Sequence, residues 1–283
     1  MNQPVSVTRP AALAEGPLWD AARQSLLWVD IPAGDVHRYD PLTGSDTAVS
    51  VGVPVGAVAV RQSGGLVLAA GLGFAVLDEA SGLSWLWTDG RGDRMNDGKC
   101  DPAGRFLAGT MSAQSAGAAL YRLDGGRVQT LLIDVTLSNG LGWSPTGELL
   151  YYVDTRTERI DVFDYDLATG TPRNRQLFVD LHDAAGQPDG LTVDSDGAVW
   201  VAMAYGGVVR RHTADGRLDG IVALPASKVT NVAFGGAGLS DLYITTARDD
   251  LSPAELAEQP EAGCVFRLDD VGVRGLPAVA YAG

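Results

Sequence analysis

The sequence predicts an all-β protein, a six-bladed β-propeller with four-stranded blades, forming a single domain over residues 1–283. Three observations lead to this prediction. A dipeptide of a polar residue and glycine returns about every forty residues, and apolar and polar residues alternate through the runs that follow it. Clusters of Asp, Ser, Pro and Gly separate those runs, as turns separate short strands.

The dipeptide marks the start of each unit. Its second residues are spaced by 40, 42, 42, 50 and 42 positions, and a repeat of this length is typical of propellers, arrays and solenoids. The six sites in chain order are Glu15-Gly16, Val55-Gly56, Asp97-Gly98, Asn139-Gly140, Asp189-Gly190 and Asn231-Val232. Because the second site carries valine, the repeat itself does not require a polar residue there.

Each unit contains runs typical of β-strands. In the fourth unit the runs are 141–144, 149–153, 160–163 and 175–179, and the turn residues 144–147 (SPTG) separate the first two. The sixth unit needs a fourth strand from a chain end. Either residues 5–8 or residues 278–281 could supply it, and the N-terminal choice would join the two ends of the chain.

Composition indicates a globular protein with a substantial core, since 46% of the residues are hydrophobic and 20% are charged. The net charge of −14 disfavours nucleic acid as a partner. Residues 1–10 contain no apolar stretch of signal-peptide length, and the apolar run at 51–60 is interrupted by proline and too short for a membrane span. We therefore expect a cytoplasmic protein without membrane contact, in which Cys100 and Cys264 are buried free thiols.

The ring of dipeptides is the candidate site. Equivalent positions of six blades face one another across a central channel, so their polar members form a ring of oxygen ligands. The members are Glu15, Asp97, Asn139, Asp189 and Asn231. Glu15, Asn139 and Asp189 offer two carboxylates and an amide oxygen, which suit Ca²⁺, Mg²⁺ or Mn²⁺. The alternative is that these side chains only hydrogen-bond backbone around a water-filled channel.

The third unit adds candidate substrate contacts. Arg94 and Asn96 directly precede the ring residue Asp97, so they can reach a ligand held above a metal, and their donors suit sugar hydroxyls. A salt bridge from Arg94 to a neighbouring acid is the alternative.

The turn cluster at 194–197 resembles the start of a calcium loop, but it falls at the opposite rim and lacks the later ligands, which favours a plain turn.

Other catalytic arrangements find little support. The sequence has no G-x-S-x-G elbow and no phosphate-binding glycine loop, and its three histidines, His37, His182 and His212, are scattered.

The connection 247–263 is long. Within it, Ser252-Pro-Ala-Glu255 predicts a capping box and a short helix through Glu258, which acts either as a lid over the channel mouth or as a surface excursion.

Four segments resemble, in order and spacing, motifs of the SMP-30/gluconolactonase/regucalcin-like family. They are residues 14–20 (AEGPLWD), 94–111 (RMNDGKCDPAGRFLAGTM), 138–141 (SNGL) and 188–191 (PDGL). The resemblance covers essentially the whole chain. It implies a six-bladed propeller, one divalent metal held by Glu15, Asn139 and Asp189, and hydrolysis of sugar lactones. It also implies that Arg94 and Asn96 contact the substrate.

The chain departs from the family pattern at three positions. Gln114 aligns with an acidic substrate contact of animal members and is expected to take that place, while Gly142 stands where Asp is frequent and Tyr205 lies near a usual Trp. These departures concern the substrate rather than the metal ligands.

The expected function is therefore a metal-dependent lactonase. The cation polarises the lactone carbonyl, Asp189 is a ligand and the general base, and Asp97 is a supporting residue or the alternative base. We expect one divalent ion, Ca²⁺ first, with Zn²⁺, Mn²⁺, Mg²⁺ or Fe(II) as alternatives, a small sugar lactone as partner, and a monomer or small homo-oligomer. The alternatives are a phosphotriester or fluorophosphate hydrolase on the same metal site and a non-enzymatic calcium-binding regulator.

Overall fold

The computed structural model describes residues 3–78, 80–114 and 116–283. Its strands form six four-stranded antiparallel sheets. In five of them only strands adjacent in sequence pair, and in the sixth the first strand of the chain pairs with the last. The predicted six-bladed propeller with four-stranded blades is confirmed. Among the described residues, no helix is long and apolar enough to cross a membrane.

The first three blades take their strands in simple chain order. Blade 1 contains β2 (Ala14–Asp20), β3 (Ser25–Asp30), β4 (Asp35–Asp40) and β5 (Ser45–Ser50). Blade 2 contains β6 (Val55–Val60), β7 (Leu66–Ala70), β8 (Gly73–Asp78) and β9 (Gly82–Trp87). Blade 3 contains β10 (Arg94–Cys100), β11 (Phe106–Met111), β12 (Ala118–Asp124) and β13 (Arg127–Val135).

The last three blades include the closure of the ring. Blade 4 contains β14 (Ser138–Trp143), β15 (Leu149–Asp154), β16 (Arg159–Asp166) and β17 (Thr171–Asp180), with a 3-10 turn at Thr155–Thr157. Blade 5 contains β18 (Gln187–Val193), β19 (Val199–Ala204), β20 (Val208–His212) and β21 (Leu218–Ala223). Blade 6 contains β22 (Val229–Gly235), β23 (Asp241–Thr246), β24 (Val265–Leu268) and β1 (Val5–Ser6), with the helix α1 (Pro253–Glu258) between β23 and β24.

The N-terminal segment is the one that closes the ring. Val5 and Ser6 pair antiparallel with Arg267 and Phe266 of β24, and Val7 N donates to Val265 O at 2.8 Å. Of the two segments that the sequence left open, residues 5–8 therefore complete blade 6.

The C-terminal segment instead crosses the end of the channel opposite the dipeptides. Gly275 forms a bridge with Asp194 of blade 5. Farther along, Tyr281 N donates to Val60 O and Ala282 N to Gly104 O, each at 2.8 Å. We call residues 275–282 the C-terminal strap, since they join one side of this lower rim to the other.

The closing strand gives a stability prediction. Deleting residues 1–8 removes β1 and leaves the backbone of β24 as an open edge, so we expect a lower urea midpoint and concentration-dependent aggregation. Deleting only residues 1–3 keeps β1 and serves as the control. Equal midpoints for the two truncated chains would show that β1 contributes nothing to closure.

The dipeptide coincides with a bulge in the first strand of every blade. Register shifts occur between Glu15 and Leu18 in β2, between Met95 and Gly98 in β10, and at the corresponding places of the other four blades. A bulge frees backbone groups from the ladder and re-aims the neighbouring side chains. The repeat therefore sets a local backbone distortion at the same height in all six blades.

The glycines of the dipeptide allow neighbouring first strands to approach closely. A Cβ on Gly56 would lie 2.1 Å from Asn96 O, and one on Gly140 would lie 2.6 Å from Asp189 O. Such distances are impossible for a real side chain, so glycine is needed where the channel is narrowest.

Apolar side chains between the blades form the core. Trp28, Tyr152 and Tyr243 are among the largest fully buried side chains, and each blade packs its apolar face on the next. Both cysteines are free and buried, as predicted, and burial raises the pKa of the Cys264 thiol to about 11.

The turn cluster after β18 is a turn, as predicted. Asp194 Oδ1 accepts hydrogen bonds from Asp196 N at 3.0 Å and Ala198 N at 2.9 Å.

The predicted capping box is also present, since the Ser252 side chain accepts from Glu255 N and the Glu255 side chain accepts from Ser252 N. The helix α1 ends at Glu258, as predicted.

Candidate metal and substrate site

The polar dipeptide residues meet at the upper end of the channel, where the first strands begin. Four members of the ring are almost fully buried: Glu15, Asp97, Asn139 and Asn231. Asp189 in β18 is only partly buried. It is therefore the ring member with the best access to solvent.

Asn231 joins three blades. Its Nδ2 donates to Glu15 Oε2 at 2.8 Å and to Asp97 Oδ2 at 3.1 Å. Its Oδ1 accepts from Val232 N at 2.8 Å, which fixes the orientation of the amide. Asn231 thus acts as a hydrogen-bonding bridge between two carboxylates.

The bulges supply further donors to the two bridged carboxylates. Gly16 N donates to Glu15 Oε2 at 2.6 Å, and Gly98 N donates to Asp97 Oδ1 at 2.7 Å. Both oxygens of Asp97 are consequently engaged, whereas both bonds to Glu15 fall on the same oxygen, Oε2.

Asn139 presents an amide oxygen without a partner. Its Nδ2 donates to Thr155 Oγ1 at 3.0 Å, and its Oδ1 is buried without a hydrogen bond. A buried acceptor left unpaired costs free energy. This oxygen therefore fits a cation ligand, beside the carboxylates of the same ring.

Burial, and then repulsion from neighbouring carboxylates, raises the pKa values of Glu15 and Asp189. Burial raises the pKa of Glu15 well above its usual value, and repulsion from Asp189 and Asp97 adds to it. Burial and then Asp97 raise the pKa of Asp189 to about 8, although Asn139, Lys228 and Arg94 act in the opposite direction. The concentration of negative charge favours a bound cation.

A metal site in this ring would need the amide oxygen of Asn139 as one of its ligands. No group of three or more His, Cys, Asp or Glu side chains within the described ranges could hold a metal ion. Asp97 does not complete a three-carboxylate site, and the histidines lie apart in β4, after β17 and in β20. Glu15, Asn139 and Asp189 remain as the set that fits a hard divalent ion.

Arg94 and Asn96 are oriented beside this set. Arg94 Nη1 donates to Asn96 Oδ1 at 2.6 Å and to Met95 O at 2.9 Å. Asn96 Nδ2 in turn donates to Ser138 O at 2.8 Å. Arg94 is thus held by neutral oxygens, not by the salt bridge that the sequence left as an alternative.

Gln114 lies apart from the buried residues. It is exposed in the connection between β11 and β12, where its backbone N donates to Ser112 Oγ at 3.1 Å. The structure does not bring its side chain into the ring, and its assignment as a substrate contact stays a prediction.

Lys228, which the sequence analysis missed, lies close to the site. Lys228 Nζ pairs with Asp249 Oδ1 and lies 5.3 Å from the centre of the Tyr205 ring. Arg94 and Lys228 are both three residues before a ring member, and both favour the ionised form of Asp189. Comparison of the units at this offset would have found Lys228.

Lys99 was also missed. It follows Asp97-Gly98 in β10, and its Nζ donates to Leu191 O of β18 at 2.8 Å. This bond spans from blade 3 to blade 5 below the ring. The ammonium therefore lies across the channel beneath the carboxylates.

Fold and site together define a six-bladed propeller with an oxygen-donor site at one end of its channel. Residues 13–248 match the family model described as the SMP-30/Gluconolactonase/LRE-like region. The chain belongs to this family, which confirms the resemblance found in the sequence motifs.

Individual relatives match over nearly the whole chain. Regucalcin of Macaca fascicularis is 41% identical over 282 residues, which cover 95% of this chain and 94% of that protein. A solved structure described as a calcium-binding protein, regucalcin, from Agrobacterium tumefaciens has a TM-score of 0.94 at 27% identity and covers 100% and 98% of the two chains. A luciferin-regenerating enzyme has a TM-score of 0.90 at 28% identity and covers 99% and 100%.

Proposed function

We propose that the protein is a divalent-metal-dependent hydrolase that opens sugar lactones to the corresponding acids. The observation that carries the proposal is the buried, unpartnered Oδ1 of Asn139 in a ring that also contains the carboxylates of Glu15 and Asp189. Membership of a family whose model is named for gluconolactonase supports the reaction class.

Glu15, Asn139 and Asp189 would hold the ion. Three hard oxygen donors suit Ca²⁺ best, while Zn²⁺, Mn²⁺, Mg²⁺ and Fe(II) are alternatives. When bound, the cation would act as a Lewis acid that polarises the lactone carbonyl. The hydrogen bonds from Asn231 and Gly16 to Oε2 of Glu15 hold that carboxylate in place before any ion arrives.

Asp189 is the better general base of the two candidates. It is the more exposed carboxylate, so it can accept a proton from a water molecule that attacks the lactone carbonyl. Asp97 has hydrogen bonds on both oxygens, and we assign it a positioning role through Asn231. The proton taken by Asp189 then passes to the ring oxygen that leaves the acyl carbon.

Arg94 and Asn96 would orient the sugar. The guanidinium of Arg94 lies close enough to Asp189 and Glu15 to feel their charge, so it can also stabilise the oxyanion that forms during attack. Lys228 adds positive charge on the same side of Asp189. Gln114 could contact the substrate from the exposed loop after β11.

A calcium-binding regulator is the second candidate, favoured by the description of the Agrobacterium tumefaciens relative as a calcium-binding protein. Removing the metal distinguishes the lactonase from the calcium-binding regulator. We expect that a chelator lowers turnover of aldonolactones, followed with a pH indicator, by about a hundredfold or more, and that one divalent ion restores it.

The same assay includes a phosphotriester and ions added singly. Full lactone turnover in the chelated protein would contradict the proposal. Calcium binding without turnover across the panel would support the regulator, and a higher kcat/KM for the phosphotriester would assign the site to phosphorus esters.

A further inference from the structure

A cavity lies at the lower end of the channel. It has a volume of about 270 Å³ and is lined by the last residues of the first strands and by the C-terminal strap. The metal and substrate candidates lie at the beginning of the same strands. The two sites therefore occupy opposite ends of one channel.

The walls of this lower cavity are largely aromatic and apolar. Trp19, Trp143 and Phe234 line it together with proline and aliphatic side chains, and residues 276–279 of the strap close it from below. Flat rings stack favourably on such walls. A sugar would bury its hydroxyls there without enough partners, so the walls favour an aromatic ligand over a lactone.

The charge of the lining residues indicates what charge a ligand would carry. Lys99 is the single charged side chain among the described residues that line the cavity. Its bond to Leu191 O uses one of the three donors of an ammonium group. The lining contains no acidic side chain, but Asp97 and Glu15 above the cavity also attract this ammonium. A ligand carboxylate would therefore share the ammonium with them through a charge-assisted bond.

We propose that the lower cavity binds a small aromatic carboxylate, with its ring against Trp19, Trp143 and Phe234 and its carboxylate on Lys99. The site lies at the opposite end of the channel from the lactone site, and Lys99 connects the two ends, because it follows Asp97 in β10 and reaches Leu191 in β18.

Binding is measured on the metal-loaded protein by fluorine NMR with 4-fluorobenzoate and its neutral analogue 4-fluorobenzamide. We expect the benzoate to bind about tenfold or more tightly than the amide, because only the anion forms a charge-assisted bond with Lys99. Lys99→Met should remove this preference. The matched control is Lys228→Met, which changes the chain's other lysine and should leave benzoate binding unchanged.

A steric variant tests the location without touching the charge. Ala233 lines the cavity, so Ala233→Leu should weaken binding of both probes while thermal melting verifies the fold. If Lys99→Met does not fold, the preference of the parent protein for benzoate over benzamide and the binding measured for Ala233→Leu still test the proposal. Equal binding of the two probes, retained preference in Lys99→Met, loss in Lys228→Met, or no binding at millimolar concentration would each overturn the proposal.

Discussion

Replacing Asp189 with asparagine is expected to lower lactone kcat by about a thousandfold or more, since under the proposed function the change removes both a general base and an anionic metal ligand. Asparagine keeps the shape of the side chain, and Asp189 is partly exposed in β18, so the fold should persist. Initial rates at saturating metal, with thermal melting of both proteins, check the expectation.

Asp196→Asn is the matched control for this substitution. Asp196 lies in the turn after the same strand, at the lower rim, and its side chain is 67% exposed. Its variant should retain full turnover. A fully active Asp189→Asn protein would remove Asp189 from the site and leave Asp97 as the candidate base.

The repeat made much of the fold predictable because it appears in the local sequence. The spacing of the dipeptides, together with period-two runs, is enough to predict six blades. The choice of closing strand was not predictable, since residues 5–8 and 278–281 have similar strand character. Pairing of Val5 with Arg267 depends on contacts over the whole chain length.

The candidate site was predictable in part for the same reason. Ring positions follow from the repeat, but the environment of each ring member does not. Only the folded chain shows that Asn139 Oδ1 lacks a partner while both oxygens of Asp97 are bonded. The position of Lys99 was not predicted, because its partner Leu191 belongs to blade 5, which does not follow blade 3 directly in the sequence.

The two residues of the dipeptide have different physical roles. The glycine permits contact between first strands, as the space around Gly56 and Gly140 shows. The bulge at the same position turns a freed backbone N–H toward the preceding side chain, as at Asp97 and Glu15. A polar residue placed there is therefore pre-oriented by its own backbone, which suits a site that must hold charge.

The second large effect concerns stability. Asp194→Ala is expected to lower the free energy of unfolding by about 3–5 kcal/mol, the usual cost of removing one partner from a buried charge pair. Asp194 is fully buried, and its Oδ2 accepts from Trp200 Nε1 at 2.9 Å and Arg211 Nη2 at 2.8 Å. Without it, the turn at the end of β18 loses its main acceptor, and the guanidinium of Arg211 keeps only the more exposed partners Asp196 and Asp219.

Urea unfolding followed by tryptophan fluorescence measures this loss. The control is Asp215→Ala in the turn between β20 and β21, where the aspartate accepts from Thr213 Oγ1 at the exposed surface, so its midpoint should match the parent protein. Since Asp194 lies at the lower rim, the folded fraction of Asp194→Ala should keep the proposed metal-dependent turnover. Equal unfolding midpoints for the two variants would mean that the buried aspartate does not hold the turn and Arg211 together.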